Sequence, residues 1–262
     1  MAQNIAFSTD LKIAGVLSAC TGLLGAATVP FLLPSALEML PSDQRNLPLP
    51  VPVFCLILAV QMFFIYGLFA LAGLRMSRFR DRDPAPILSA WISNVELHKK
   101  EKQLILIRSI WAFATGLLCG GLLVLFVFLI GQFMPNTLPR VMHPPDFASA
   151  LLGSATASFG EEILCRLFLF GGLLRLFPKT RIYTIGAVAI SSIVFGILHA
   201  PAAIFLFGGF EEVPILFWVW LICLNGIVGL GCAYWFLRAG IGGAILVHFG
   251  TDLIWHVLPY LV

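Results

Sequence analysis

The chain has 262 residues, of which 60% are hydrophobic and only 11% are charged, with a net charge of +3. Soluble domains have about 45–50% apolar and about 25% charged residues, so the composition excludes a soluble globular protein and a disordered chain. A membrane-spanning helix needs about 20 apolar residues. We therefore expect an all-α polytopic membrane bundle of about seven to eight transmembrane helices. The charge pattern contains no basic aromatic patch and indicates no nucleic-acid partner.

Seven continuous apolar runs divide the chain. We interpret each as a helix, because helices satisfy their backbone hydrogen bonds in lipid. The first run contains Pro30 and Pro34, which predict a kink or a split, and the fifth contains Pro201 and is expected to stop near His199. The runs are Leu11–Met39, Leu49–Leu74, Ile110–Met134, Phe147–Phe177, Ile182–Phe210, Val213–Leu237 and Ile241–Val262.

Positive charge is concentrated between the second and third runs, where residues 75–108 hold eight of the 16 Lys and Arg residues. Cytoplasmic loops are enriched in Lys and Arg, so this loop is expected on the inside, with the N-terminus inside and the C-terminus outside. Between Pro86 and His98, apolar residues recur at helical spacing opposite polar positions such as Ser89. This pattern predicts an amphipathic helix on the cytoplasmic interface, anchored by Trp91.

Ionisable residues inside apolar runs are costly and typically functional. In this sequence they are concentrated in the C-terminal half, in three short segments. The segments read Glu161-Glu162-Ile163-Leu164-Cys165-Arg166, then Phe195-Gly196-Ile197-Leu198-His199, then His248-Phe249-Gly250-Thr251-Asp252.

The spacing of the first segment predicts an ion pair. Glu162 and Arg166 are four residues apart, so they share one helix face and can bind each other. Glu161 is rotated by about 100° around the same helix. It is therefore free to face a cavity.

The other two segments place an imidazole next to a neighbour four residues away. Phe195 can wall the space beside His199, and His248 projects together with Asp252. The three helices would thus present carboxylates and imidazoles to one common space.

Two kinds of chemistry use such a set of side chains. A carboxylate and an imidazole can share a water molecule and activate it as a nucleophile. Alternatively, Glu161, His199, His248 and Asp252 could hold a divalent metal. Zinc suits His and carboxylate ligands and would acidify a bound water. Either chemistry predicts hydrolysis within the membrane, with zinc or another divalent metal as a possible cofactor.

The motifs E-E-x-x-x-R, F-x-x-x-H and H-x-x-x-N or D, in this order on late helices, resemble those of a known family. They are the signatures of the CAAX protease and bacteriocin-processing (CPBP, or Abi) intramembrane proteases, which include the type II CAAX prenyl endopeptidases. The resemblance covers roughly residues 146–256. It divides the chain into N-terminal transmembrane helices with the basic cytoplasmic loop, residues 1–145, and a catalytic core, residues 146–262.

The resemblance implies a role for each matched residue. Glu161 would be the general base, with His199 as its partner on the water, and His248 and Asp252 would complete the site. The family has been described both as metalloproteases and as glutamate-activated proteases that need no metal. The residues expected to support the site structurally are Glu162, Arg166 and Phe195.

The aspartate at position 252 bears on the choice between these mechanisms. An asparagine there could donate its amide N–H to a developing oxyanion. An ionised carboxylate cannot donate. Asp252 must therefore be protonated, orient His248 or ligate a metal.

The sequence thus predicts an intramembrane endopeptidase acting on a hydrophobic or membrane-tethered peptide or protein, surrounded by membrane lipid, in the plasma membrane of a prokaryote. Two alternatives stay open. One is a non-catalytic immunity or scaffold protein of the same family. The other is a proton- or ion-coupled transporter, because buried Glu, His, Asp and Arg also form proton relays. The sequence identifies neither the substrate nor the oligomeric state.

Overall fold

The structure is a computed structural model that describes residues 6–38, 43, 45–46, 49–78, 83–131 and 146–260. In these residues every regular element is a helix and no strand occurs, as the continuous apolar runs predict. The α-helices are α1 (Phe7–Glu38), α2 (Val51–Ser77), α3 (Pro86–Ile92), α4 (Lys99–Gly131), α5 (Phe147–Glu162), α6 (Gly171–Leu176), α7 (Arg181–Ile197), α8 (Ala200–Phe207), α9 (Ile215–Ala239) and α10 (Ile241–Asp252). Two π-helical segments, Ile163–Phe170 and Leu253–Val257, and a short 3₁₀ turn, Leu258–Tyr260, complete the set.

Five of the helical segments in the described residues are long and apolar enough to cross a membrane. They are Phe7–Pro34, Val51–Ser77, Lys99–Leu129, Arg181–Phe207 and Ile215–Ala239. Two further helical segments match the fourth and seventh predicted apolar runs. Residues 147–176 are helical throughout but change helix type, and Ile241–Val257 is a shorter apolar helix. The prediction of a polytopic helix bundle is confirmed.

The outer surface of the bundle is apolar. Leu68 and Phe128 are each 71% exposed, and Leu56 is 65% exposed. Soluble monomers rarely expose large contiguous apolar patches. Lipid is therefore the medium that this surface fits.

The helix ends differ from the apolar runs in two places. The predicted split of the first run does not occur, because α1 continues through Pro30 and Pro34 to Glu38. The third helix begins at Lys99, well before Ile110 where the apolar run starts. Its 33 residues correspond to about 50 Å of helix, against a hydrocarbon core of about 30 Å. The charged first turns of α4 therefore extend beyond the lipid core.

The amphipathic helix predicted for residues 86–98 is shorter than expected, because α3 ends at Ile92. Ser89, predicted on the polar face, is only 5% exposed, and its hydroxyl accepts a hydrogen bond of 3.1 Å from Arg78. Polar burial here follows from pairing with a cation, which the helical spacing does not reveal. Trp91 is 66% exposed, as an interfacial anchor requires, and its place at the interface stays a prediction.

Small residues bring α4 and α10 into backbone contact. A Cβ atom at Gly116 would overlap the carbonyl oxygen of Val247, and one at Gly120 would lie 2.7 Å from the carbonyl oxygen of Thr251. Such close approach is what small residues permit in membrane bundles. It fixes the helix that carries His248.

One end of the bundle collects the basic segments. Asp10, fully buried near the start of α1, accepts hydrogen bonds from Arg78 Nε at 2.7 Å and Arg75 Nη1 at 3.4 Å. At the same end, Ile241 N–H donates to the carbonyl of Pro84 at 2.7 Å. We call this the basic end. It holds the ends of α2 and α9 and the starts of α1, α4 and α10.

Candidate active site

The residues predicted for the site come from three helical segments that meet inside the bundle: the end of α5, the end of α7 and α10. Glu161 and Glu162 are the last residues of α5, immediately before the π-helical segment that begins at Ile163. The second π-helical segment begins at Leu253, immediately after Asp252. π-Helical turns inside α-helices are frequent at functional sites, and here both directly follow a predicted site residue.

Glu162 binds two charged or polar partners at once. Its Oε2 lies 3.2 Å from Arg166 Nε, and its Oε1 lies 2.9 Å from His248 Nδ1. Glu162 and Arg166 are fully buried and His248 is nearly so. The ion pair between Glu162 and Arg166 is as predicted. The bond to His248 is an addition that orients the imidazole.

Phe195 forms a common wall behind these groups. The guanidinium carbon of Arg166 lies 4.8 Å from its ring centroid, a cation–π contact. The same ring contacts His199 and His248 edge-on, with centroid distances of 5.1 and 5.4 Å. Within the described residues, the Arg166 guanidinium makes no well-aligned hydrogen bond. The neighbours of this buried cation are Glu162, the Phe195 ring and the buried Cys232 thiol.

The orientation of His199 is set by its own helix. Its Nδ1 lies 2.9 Å from the carbonyl oxygen of Phe195. A carbonyl only accepts hydrogen bonds, so Nδ1 carries the proton and donates. In a neutral ring Nε2 is then an acceptor, and it faces Glu161 Oε2 at 3.7 Å.

The four side chains predicted to be catalytic lie close together. His248 Nε2 is 4.0 Å from Glu161 Oε2 and 3.7 Å from Asp252 Oδ2, and His199 completes the group. These separations exceed the 2.7–3.2 Å typical of a direct hydrogen bond, but a bridging water can span them. Since Glu162 holds His248 through Nδ1, Asp252 faces only the opposite ring nitrogen.

The four side chains line a cavity of about 950 Å³, within the usual range of small-molecule sites of about 300–1,000 Å³. Most of its remaining walls are apolar. They come largely from α8, the first half of α9 and the second π-helical segment, towards the end of the bundle opposite the basic end. The other lining residues are Leu123, Ala157, Phe195, Ala202, Ala203, Phe205, Leu206, Phe217, Trp220, Leu221, Leu224, Asn225, Val228, Thr251, Trp255 and His256.

Comparison with protein families identifies the region that contains this site. Residues 143–254 match the family described as type II CAAX prenyl endopeptidase, Rce1-like. This region, somewhat less than half of the chain, is therefore similar to the CAAX proteases. Comparisons with curated proteins and with solved structures gave no match.

The CAAX protease family is a family of proteases. The matched region contains all three motifs, from Glu161 to Asp252. The apolar helices and this family match together indicate a multi-pass membrane protein.

The site side chains lie slightly farther apart than the ligands of a bound zinc ion do. Zinc ligands at about 2.0–2.1 Å in tetrahedral geometry lie about 3.4 Å from one another, whereas the measured separations are 3.7 to 4.0 Å. Among the described residues, no group of three or more His, Cys, Asp or Glu side chains is placed to hold a metal ion. The zinc prediction therefore stays a prediction, and we derive no step through a metal.

Six polar or aromatic lining residues among those described belong to none of the three motifs: Asn225, His256, Phe205, Phe217, Trp220 and Trp255. His256 lies one helical turn beyond Asp252, so the spacing of the last motif is a signal that could have placed it in the cavity. The two tryptophans pack against each other with a centroid distance of 6.2 Å. Because these residues are far apart in the chain, no local sequence pattern predicts their contact.

Proposed function

We propose that the chain is an intramembrane endopeptidase that hydrolyses a peptide bond in a hydrophobic or membrane-tethered substrate, in the plasma membrane of a prokaryote. One observation carries the proposal. The Glu161 carboxylate faces the Nε2 atoms of His199 and His248 in the wall of a largely apolar cavity. A carboxylate and an imidazole within reach of one water are the groups that peptide hydrolysis requires.

The attacking water lies between Glu161 and His199. Its two protons point at two acceptors, Glu161 Oε2 and His199 Nε2, which are 3.7 Å apart. This leaves an oxygen lone pair directed at the substrate carbonyl carbon. As the new C–O bond forms, Glu161 takes one proton as the general base.

The tetrahedral intermediate then collapses with the peptide C–N bond breaking. The proton held by Glu161 passes to the leaving nitrogen, so the products are a new carboxyl group and a new amine. The oxyanion needs a hydrogen-bond donor. A proton carried by Asp252 Oδ2 or by His248 Nε2, which face each other at 3.7 Å, supplies that donor.

The cavity favours substrates that bring an apolar segment. Phe205, Phe217, Trp220 and Trp255 give it aromatic walls beyond the polar cluster. Burial of apolar surface against such walls stabilises the complex by about 25 cal/mol per Å². A peptide with a hydrophobic or lipid-anchored flank is therefore the substrate class that this proposal names.

A cleavage assay with the purified protein in lipid nanodiscs tests the proposal. Lipid-tethered peptides are incubated in heavy-oxygen water, and products are read by mass spectrometry. We expect one heavy oxygen in each new carboxyl group and loss of cleavage in Glu161→Gln. Glu96→Gln is the matched control, because Glu96 is 92% exposed in its side chain and lies outside the cavity. Absence of cleavage by the wild type across a broad peptide set would favour the transporter or immunity alternatives.

Metal analysis of the same preparation tests the zinc prediction. The water mechanism predicts that cleavage survives exhaustive chelation and that metal content does not follow activity. A stoichiometric metal that is lost in His199→Gln, together with chelator-sensitive cleavage, would support the metal mechanism instead.

A further inference from the structure

A second cavity of about 740 Å³ lies at the basic end, and none of its described lining residues also lines the active-site cavity. It is bounded by the ends of α2, α6 and α9 and by the starts of α4 and α7. Three cationic side chains from separate segments line it: Arg108 in α4, Lys179 between α6 and α7, and Arg238 in the last turn of α9. The other lining residues are Ser77, Asp83, Pro84, Pro86, Leu174, Thr184, Phe236, Leu237, Ala239 and Gly240.

The described lining residues of this cavity carry a net positive charge. Asp83 is the one acidic residue among them, and its Oδ1 accepts hydrogen bonds from Arg78 Nη1 and from the backbone N–H of Ala85, both at 2.9 Å. That carboxylate is therefore already paired with Arg78, which is not among the described lining residues. In the part of the chain that the structure describes, no carboxylate forms an ion pair with Arg108 or Arg238.

The frame of the cavity is formed by tight backbone contacts. Gly240 has a φ of +72°, and a Cβ atom there would lie 2.5 Å from the carbonyl oxygen of Pro84 and 2.7 Å from Pro86 Cδ. The next residue, Ile241, donates its N–H to that same carbonyl. The turn between α9 and α10 is thus fixed by backbone contacts, so this wall of the cavity is preformed.

The remaining walls are partly apolar. Phe236 and Leu174 are 6% and 4% exposed and contribute hydrophobic surface beside the cations. A small inorganic ion would use only the charged part. A ligand with an anionic head and an apolar stem would use both.

We propose that this cavity binds a phosphate-bearing anion, either the headgroup of an anionic phospholipid or a soluble phosphate compound. Guanidinium groups match phosphate oxygens in paired hydrogen bonds. Basic pockets between transmembrane helices on the cytoplasmic side suit anionic headgroups. The site is independent of the proposed proteolysis, because it uses none of the residues of the active site.

Lipid binding by the full-length protein tests the assignment. Purified protein is exchanged into detergent, and its affinities for phosphatidylglycerol and phosphatidylcholine are compared by native mass spectrometry. The wild type should retain phosphatidylglycerol selectively. The double variant Arg108→Gln/Arg238→Gln should weaken that binding about tenfold or more.

A charge-matched control separates a site from general attraction. Lys99→Gln/Lys102→Gln removes the same net charge at the same end, outside the cavity, and should bind like the wild type. Equal losses in both double variants, or no loss in either, would overturn the proposal. If Arg108→Gln/Arg238→Gln does not fold, Lys179→Gln, an exposed single change, should still weaken binding several-fold.

The source of the phosphate is resolved by two competitors. Glycerol 1-phosphate and inorganic phosphate are titrated against bound phosphatidylglycerol. Displacement at millimolar concentration, sensitive to Arg108→Gln/Arg238→Gln, identifies a soluble phosphate compound as a sufficient ligand. Retention of the lipid against both identifies the phospholipid headgroup with its apolar stem.

Discussion

At the scale of single residues, Glu162 and Glu161 are adjacent in sequence but have opposite surroundings. The Glu162 side chain is fully buried between Arg166 and His248, whereas that of Glu161 is 37% exposed and faces the cavity. A buried carboxylate with a cation and an imidazole positions other groups. A partly exposed carboxylate beside two imidazole Nε2 atoms can act on a water. This contrast separates the supporting role of Glu162 from the catalytic role proposed for Glu161.

The first prediction at this scale concerns Arg166. Arg166→Ala leaves the buried Glu162 carboxylate without its cation, and breaking a buried ion pair costs about 3–5 kcal/mol. We expect a lower folded yield and a lower Tm, measured by size-exclusion chromatography and thermal unfolding in detergent. Glu161→Ala should lose cleavage while keeping both values near wild type. Equal yield losses in the two variants would contradict this division of roles.

The second prediction concerns Asp252. Asp252→Asn keeps a hydrogen-bond donor at that position, so it should retain most cleavage if Asp252 acts by donating to the oxyanion. Asp252→Ala should lower kcat by about 10²-fold or more, the usual effect of removing one such donor. Steady-state kinetics on one tethered peptide measure both. If Asp252→Asn is as inactive as Asp252→Ala, the site needs the carboxylate itself. A carboxylate that ligates a metal or acts as a base would behave in this way.

The sequence predicts these residues because their spacing is local. Glu162 and Arg166, like Phe195 and His199, are one helical turn apart, and one turn is visible in a sequence. The bond between Glu162 and His248 joins residues 86 positions apart. No periodicity encodes that pairing, and it becomes visible only when α5 and α10 are placed side by side.

At the scale of secondary-structure elements, the apolar runs predict where the helices lie but not how they change type. The π-helical segments Ile163–Phe170 and Leu253–Val257 contain neither Gly nor Pro, the usual sequence signals of an irregular helix. The start of α4 is not predicted either. This helix begins in a charged stretch at Lys99, and a search for apolar runs excludes such a stretch.

The prediction at this scale uses two glycines of α4. Gly116→Ala would place a Cβ atom into the backbone carbonyl of Val247, whereas a Cβ atom at Gly121 meets nothing within 4 Å. Separating α4 from α10 would displace His248 and Asp252, so Gly116→Ala should lower both Tm and kcat. Gly121→Ala is the matched control and should be neutral or slightly stabilising, because Ala favours helix over Gly by about 1 kcal/mol.

Thermal unfolding and the cleavage assay together measure this effect. A Gly116→Ala protein with wild-type Tm and kcat would mean that the backbone contact between α4 and α10 does not position the site. A lower Tm with unchanged kcat would mean that this contact stabilises the fold but does not position the catalytic residues.

At the scale of the whole molecule, the two ends of the bundle differ in charge and in what they contain. The basic end holds the phosphate-binding cavity proposed above. The active-site cavity extends the other way, with walls from Ala202 to Leu206 in α8, from Phe217 to Leu224 in α9, and from the second π-helical segment. If the basic end is cytoplasmic, as the Lys and Arg bias predicts, the proposed protease receives substrate from the opposite half of the membrane.

Cysteine labelling tests this orientation in a background where the six native cysteines, all free thiols, are replaced. A cysteine at Ala202, which is exposed and lines the active-site cavity, should react with an impermeant thiol reagent in right-side-out vesicles. A cysteine at Lys102, whose side chain is 59% exposed at the basic end, should react only in inverted vesicles. The opposite pattern would reverse the predicted topology and place the cavity mouth on the cytoplasmic side. Labelling of both positions from the cytoplasm would keep the topology but move the entrance, because the Ala202 probe would then be reached through the basic end.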